Sequence, residues 1–297
     1  MSELVLPRPQ TGIARRRLLF LIWTFRGSPS TLLGLALVAI FLVLAAIGPW
    51  LVPDPRDATG AMHLAQRLQP PSAAHWFGTD EMGDDIFTRV IIGTRTSLWV
   101  GLTITSVAML IGVPLGIVSG YRGKLLRAVI MRVTDVFLAV PGLVLALAIV
   151  AALGPSTLHG VVALSLVWWP GYVRLIEAKA LTLRSEPYVE AARTMGAGHW
   201  WILGRHILPN CVSPLVVKAS MDMGLAVLAA ASLGFIGLGA KPPAPEWGAM
   251  ISVARSYMPD QWWYSFFPGL FIFLTVLGFS LFGDGLRDIL DPRSARG

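Results

Sequence analysis

The sequence predicts an all-α integral membrane protein with six transmembrane helices, and three observations carry that prediction. Only 14% of the 297 residues are charged while 55% are hydrophobic, against roughly 25% charged in soluble domains. The mean hydropathy is +0.65. Six stretches nearly free of charge, at residues 30–51, 96–119, 133–153, 157–173, 215–238 and 264–283, are each long enough to cross about 30 Å of hydrocarbon. Lipid offers a backbone no hydrogen-bond partner, so each stretch has to satisfy its own amides as a helix.

The first element is a cytoplasmic N-terminal segment, residues 1–29, in which Arg15, Arg16 and Arg17 precede an apolar run. That run, from Gly27 to Pro53, exceeds the roughly 7–15 residues of a signal-peptide core, and reads as an uncleaved first helix. Residues 30–95 join this helix to a Pro-rich loop that ends in an acidic cluster: Asp80, Glu81, Asp84 and Asp85. Residues 96–285 form the membrane core and 286–297 a cytoplasmic tail. With the N-terminus inside, 15 Lys and Arg residues fall in cytoplasmic pieces and 6 in outer ones. The positive-inside rule then places both termini in the cytoplasm.

Within the core, Pro114, Pro141, Pro170 and Pro268 fall inside four of the six predicted helices. Each removes a backbone donor and crowds the preceding turn, which bends a helix as a fixed kink or as a hinge. Gly112, Gly116 and Gly120 form small-residue steps, as do Ala226, Ala230 and Gly234; such steps let helices approach closely. The few charges in the spans have partners at helical spacing, Arg132 with Asp135 and Lys218 with Asp222. Between the fifth and sixth helices, residues 239–263 contain Glu246 and Trp247 after three prolines, then Trp262 and Trp263; the tryptophans suit a membrane interface.

Several function classes lack their signatures. The net charge of +7 comes without a basic helix or an aromatic RNA-reading motif, so nucleic acid is not an expected partner. One cysteine, Cys211, excludes an intrachain disulfide and a Cys-based metal site. There is no HExxH, no GxSxG and no phosphate-binding GxxxxGK[ST]. No catalytic residue, metal or cofactor is expected in this chain. A proton-coupled carrier would need acidic groups near the midplane, and both predicted ion pairs sit near cytoplasmic helix ends.

The most informative segment runs from Glu186 to Asn210. Pro187 suits the first turn of a helix that can extend to Met195, where Gly196 and Gly198 break it. A second short helix then starts near His199 and is stopped by Pro209. The result is a small cytoplasmic helix–turn–helix between the fourth and fifth spans, either projecting from the membrane or lying on the headgroups.

Glu190-Ala191-Ala192, three residues, Gly196, and a closing Leu208-Pro209 resemble the EAA loop of bacterial ABC importer permeases. The resemblance implies that segment 186–209 is a coupling element docking in a groove of an ATPase subunit, with Glu190, Ala191, Ala192, Gly196, Leu208 and Pro209 as its residues. His206 stands where isoleucine is usual. Phe77-Gly-Thr-Asp80 with Asp84-Asp85, Gly93-Thr-Arg95-Thr-Ser97-Leu98, Pro242 through Gly248, and Gly283 through Pro292 are similar to dipeptide and oligopeptide "C" permeases. Asp84 and Ser280 depart from the arginine and asparagine usual there. Pro71 through Phe77 and Asp260 through Tyr264 look most like D,D-dipeptide permeases.

The resemblance implies the type I importer permease fold in a bacterial inner membrane. The implied partners are a homologous permease, two ABC ATPase subunits holding ATP and Mg, and an extracytoplasmic solute-binding protein. The substrate would be a dipeptide or related small solute. Pro114, Pro141, Pro170 and Pro268 become hinge or pore candidates; Asp80, Glu81, Asp84, Asp85, Glu246 and Trp247 become residues facing the binding protein. The alternative is an ATP-independent secondary transporter or channel subunit.

Overall fold

The computed structural model describes residues 29–121 and 123–290; the segment with Arg15–Arg17, Arg122 and the tail from residue 291 lie outside them. The described residues are almost entirely helical. Five helices are long and apolar enough to cross a membrane: α1 (Pro29–Leu51), α2 (Ile86–Tyr121), α5 (Thr157–Arg184), α8 (Leu208–Phe235) and α10 (Trp262–Leu290).

The third predicted span is not one helix. Residues 133–153 divide between α3 (Lys124–Ala139) and α4 (Gly142–Leu153), which meet at 86°. Pro141, expected inside a helix, instead heads α4, and Val140 before it is extended at φ −97°, ψ 133°, the conformation that a following proline ring imposes. Pro114, Pro170 and Pro268 do lie inside α2, α5 and α10.

Packing follows the small residues. A Cβ built on Gly112, Gly116 or Gly120 would come within 2.5, 2.8 or 2.7 Å of Tyr172, Ile176 or Ala180 Cβ. No larger residue fits that ladder, and α2 and α5 lie backbone to backbone along it. At 36 residues and 1.5 Å per residue, α2 is about 54 Å long and outruns the hydrocarbon at both ends. One end, at Tyr121, meets a hairpin formed by α6 (Pro187–Thr194) and α7 (His199–Ile202). The other end enters a cap built from residues 52–85 and the segment carrying α9 (Trp247–Ala254). Separate apolar clusters serve the two ends, with a third between them.

Candidate functional site

The hairpin is built from its sequence as predicted up to its end. Pro187 occupies the first turn of α6. The helix closes with the hydrogen bonds Ala197 N to Ala192 O and Gly196 N to Arg193 O, both 3.0 Å, around Gly196 at φ +84°. This double closure needs a left-handed residue, which glycine adopts without the Cβ clash. Val189 and Ala192 turn into the bundle and join Tyr172, Ile176, Ile202 and Ile207 in one cluster. Glu190, Ala191, Gly196, Leu208 and Pro209 are exposed. Ala192, expected to touch a partner, is therefore a packing residue, because it lies on the apolar stripe of α6 with Val189.

Pro209 does not stop the second helix. Leu203–Ile207 forms a π-helical turn in which Leu208 N bonds back to Leu203 O, and the chain runs directly into α8. The wider turn makes room for the proline ring, and Asn210 Nδ2 donates to His206 O at 2.6 Å. The imidazole of His206, in the usual isoleucine position, sits between the rings of Tyr188 and Trp201, at 5.6 and 5.0 Å. Tyr121 at the end of α2 holds the hairpin: its hydroxyl is 3.3 Å from His199 Nδ1 and its ring lies 5.8 Å from the Arg193 guanidinium. The tip presents Met195, Trp200 and Trp201 to the surroundings.

Above the hairpin, the bend between α3 and α4 opens a cleft of about 380 Å³ whose lining includes Phe137, Pro141, Trp168, Gly171 and Lys218. Lys218 pairs with buried Asp222 at 3.0 Å, as its spacing predicts, and its Nζ lies 5.0 Å from the Tyr172 ring centre. Asp135 pairs with Arg174 of α5, not with Arg132 as expected; a neighbouring helix supplies the closer cation. Arg127 Nε donates to Glu177 at 2.7 Å, so two ion pairs tie α3 to α5 beside the cleft. Sequence spacing gave no sign of either, since both partners lie on another helix.

The cap corrects the largest group of expectations. Asp80, Asp84, Asp85, Glu246 and Trp247, expected to face a binding protein, are all buried, at 6% exposure or less. Arg89, one turn into α2, lies 3.3 Å from Asp80 and 3.2 Å from Asp84, and also donates to Pro243 O at 3.2 Å. Asp85 caps α2 by accepting from Thr88 N at 2.9 Å, and His75 Nδ1 lies 3.1 Å away. Glu246 likewise caps α9, accepting from Gly248 N and Ala249 N at 2.9 and 2.8 Å. The indole of Trp247 donates to Val90 O at 3.0 Å. Glu81 is half-buried and accepts from the Tyr264 hydroxyl. These acids are inward because each has a donor waiting there: helix N-terminal amides or the single guanidinium.

Burial leaves its mark on their acidity. Loss of solvent, then the neighbouring Asp80 charge, pushes the Asp84 carboxyl up to about 6 against the pull of Arg89. Asp80 and Glu246 are pushed up by the same loss of solvent. Asp54, Asp57 and His63 bring ligand atoms within 4.8 Å of one another. However, Asp54 is already forked onto Arg56 at 2.7 and 3.0 Å, and Asp57 accepts from Asp85 N and lies 3.2 Å from His63. These contacts within the protein account for the clustering of the three side chains.

Comparison with known proteins adds the following. Residues 112–296 match the family model described as binding-protein-dependent transport system inner membrane component. Residues 21–71 match the N-terminal TM domain of oligopeptide transport permease C. A probable D,D-dipeptide transport system permease protein of Escherichia coli is 47% identical over 294 residues, 99% of this chain and 96% of the relative. A dipeptide transport system permease protein of Alkalihalophilus pseudofirmus is 44% identical, covering 88% of this chain and 85% of the relative. A glutathione transport system permease protein of Pectobacterium atrosepticum is 47% identical over 85% and 84%.

Proposed function

The chain belongs to the family of binding-protein-dependent transport system inner membrane components, and from that premise we propose that it carries a short peptide, or a solute of similar size, inward across the membrane. It is a multi-pass permease subunit of an ABC importer, and ATP is hydrolysed in partner subunits rather than here. The relatives named for D,D-dipeptide, dipeptide and glutathione transport share a substrate type, a short peptide with charged ends. That common chemistry supports a short peptide for this chain.

The observation that carries the mechanism is the two-sided hairpin. Glu190, Ala191 and Gly196 are exposed, while Val189, Ala192, Ile202 and Ile207 are locked into the bundle core. Two ATPase subunits, closing on ATP, press the exposed face; the buried face passes the displacement to α8 through the π-helical turn. Lys218 on α8 lines the cleft at the α3–α4 break, so movement of α8 changes the shape of that passage. A homologous permease completes the path. Such coupling requires the hairpin to bind the two ATPase states with different affinity. Both termini lie in the cytoplasm in this reading, and the cap faces the solute-binding protein. The exposed cap residues Met62, Leu64 and Trp76 supply the docking surface, with the buried acids as its internal frame.

Glu190→Lys tests the reading. In the reconstituted importer, dipeptide uptake and stimulation of ATP hydrolysis by the binding protein should both be abolished, while the subunit still inserts and the bundle stays folded. Wild-type uptake by this variant would overturn it. Uptake by the subunit alone in vesicles, without ATPases, would favour an ATP-independent carrier instead.

A further inference from the structure

On the face of α8 away from the Lys218 cleft, a groove of about 950 Å³ lies among α1, α2, α8 and α10. Its walls are mainly apolar, including Leu42, Trp99, Leu102, Met109, Val216 and Phe279, and several of these side chains are exposed. From Arg95 to Met109 the groove follows fifteen residues of α2, about 21 Å end to end, which exceeds the depth of one leaflet of a hydrocarbon core about 30 Å thick. An apolar slot of this kind within a membrane-spanning bundle is filled by a hydrocarbon chain or by another helix.

The charge at its mouth decides between them. Arg95 is the one charged residue in the lining. It is exposed and has no hydrogen bond or ion pair among the described residues. It stands nine residues inside the cap end of α2, beside exposed Trp99, at the depth where tryptophan marks the membrane interface. A helix laid over the groove would bury this guanidinium, which is costly without a counter-charge. A phosphodiester above an acyl chain matches both parts, because basic pockets between transmembrane helices suit lipid headgroups and guanidinium pairs well with phosphate oxygens.

We propose that this groove is a built-in phospholipid site, with the phosphate on Arg95 and an acyl chain along α2 and α8. The site lies apart from the hairpin and the cleft, and does not depend on the identity of the transported solute.

The test is native mass spectrometry, with lipid extraction, of the importer complex purified in detergent. Wild type should retain one phospholipid per copy of this chain after bulk lipid is removed. Arg95→Gln should lower retention by about tenfold, the scale of one charge-assisted contact. Ala219→Phe, which fills the slot and leaves Arg95 in place, should expel the lipid as well. Unchanged retention in either folded variant would overturn the proposal. So would oxidant-induced disulfide cross-linking of Leu102→Cys to a cysteine introduced into a transmembrane helix of the partner permease, which would put a protein helix in the groove. If Arg95→Gln fails to accumulate, Ala219→Phe and the cross-linking result still decide the matter.

Discussion

At the hairpin end, Glu190, Ala191 and Gly196 are exposed, and the segment is held by apolar contacts of Val189, Ala192, Ile202 and Ile207 with one hydroxyl–imidazole approach from Tyr121. At the cap end, Asp80, Asp84, Asp85 and Glu246 are buried, and each is fixed by charged or backbone donors. One end keeps its polar groups outward on a turn with few fixed bonds; the other encloses its charges in a dense network. Apolar contacts are non-directional and tolerate small displacements, whereas buried charge pairs tolerate almost none, since a lost partner leaves an uncompensated charge. The hairpin is therefore suited to move as a body, and the cap to stay as it is.

The sharpest way to break this contrast is to remove the cap's cation. Arg89→Met leaves Asp80 and Asp84 buried without a counter-charge and should cost about 3–5 kcal/mol. Hydrogen-exchange protection of cap amides should fall accordingly, with the hairpin amides unaffected. Equal losses at both ends would mean that the two are one cooperative unit.

The next effect is a pH dependence confined to the cap. The folded Asp84 carboxyl titrates near 6, against about 3.9 in an unfolded chain, so the folded cap binds a proton that the unfolded chain has released. Its contribution to stability is fully present below about pH 4 and is lost as pH rises through about 6, a change of about 3 kcal/mol. Asp84→Asn should shrink that slope in a comparison of stability with wild type between pH 4 and 7, leaving the part that Asp80 and Glu246 supply. An unchanged slope would show that another group carries it.

The smallest effect is expected at the hairpin. Tyr121→Phe removes the hydroxyl 3.3 Å from His199 and should cost under about 1 kcal/mol, with dipeptide uptake within about twofold of wild type. Loss of most uptake would mean that this one polar contact, not the apolar face, holds the hairpin in register.

The membrane helices and the hairpin were legible because their signals are local. Apolar length fixes a span, and Pro187, Gly196 and His199 place both ends of α6 and the start of α7 within a residue or two. The cap was misread for the opposite reason. Asp80 and Asp84 look like a solvated acidic patch until Arg89 is brought against them, and part of that arrangement depends on Pro243 O, 154 positions along the chain from Arg89. The π-helical turn left no comparable signal, since Pro209 by itself reads as a stop.

The same limit is clearest in three identical dipeptides. Pro141-Gly142, Pro170-Gly171 and Pro268-Gly269 are equivalent in sequence, and the sequence by itself determined only that each weakens its helix. Pro170 and Pro268 are buried, and packing on neighbouring helices holds α5 and α10 continuous through them. Pro141 is exposed and the chain bends by 86° there; Pro114 is exposed as well, yet α2, packed closely on α5 around it, runs through as one helix. Every proline removes the same backbone donor, but whether the helix survives its loss depends on what is packed alongside, and only the tertiary structure supplies that.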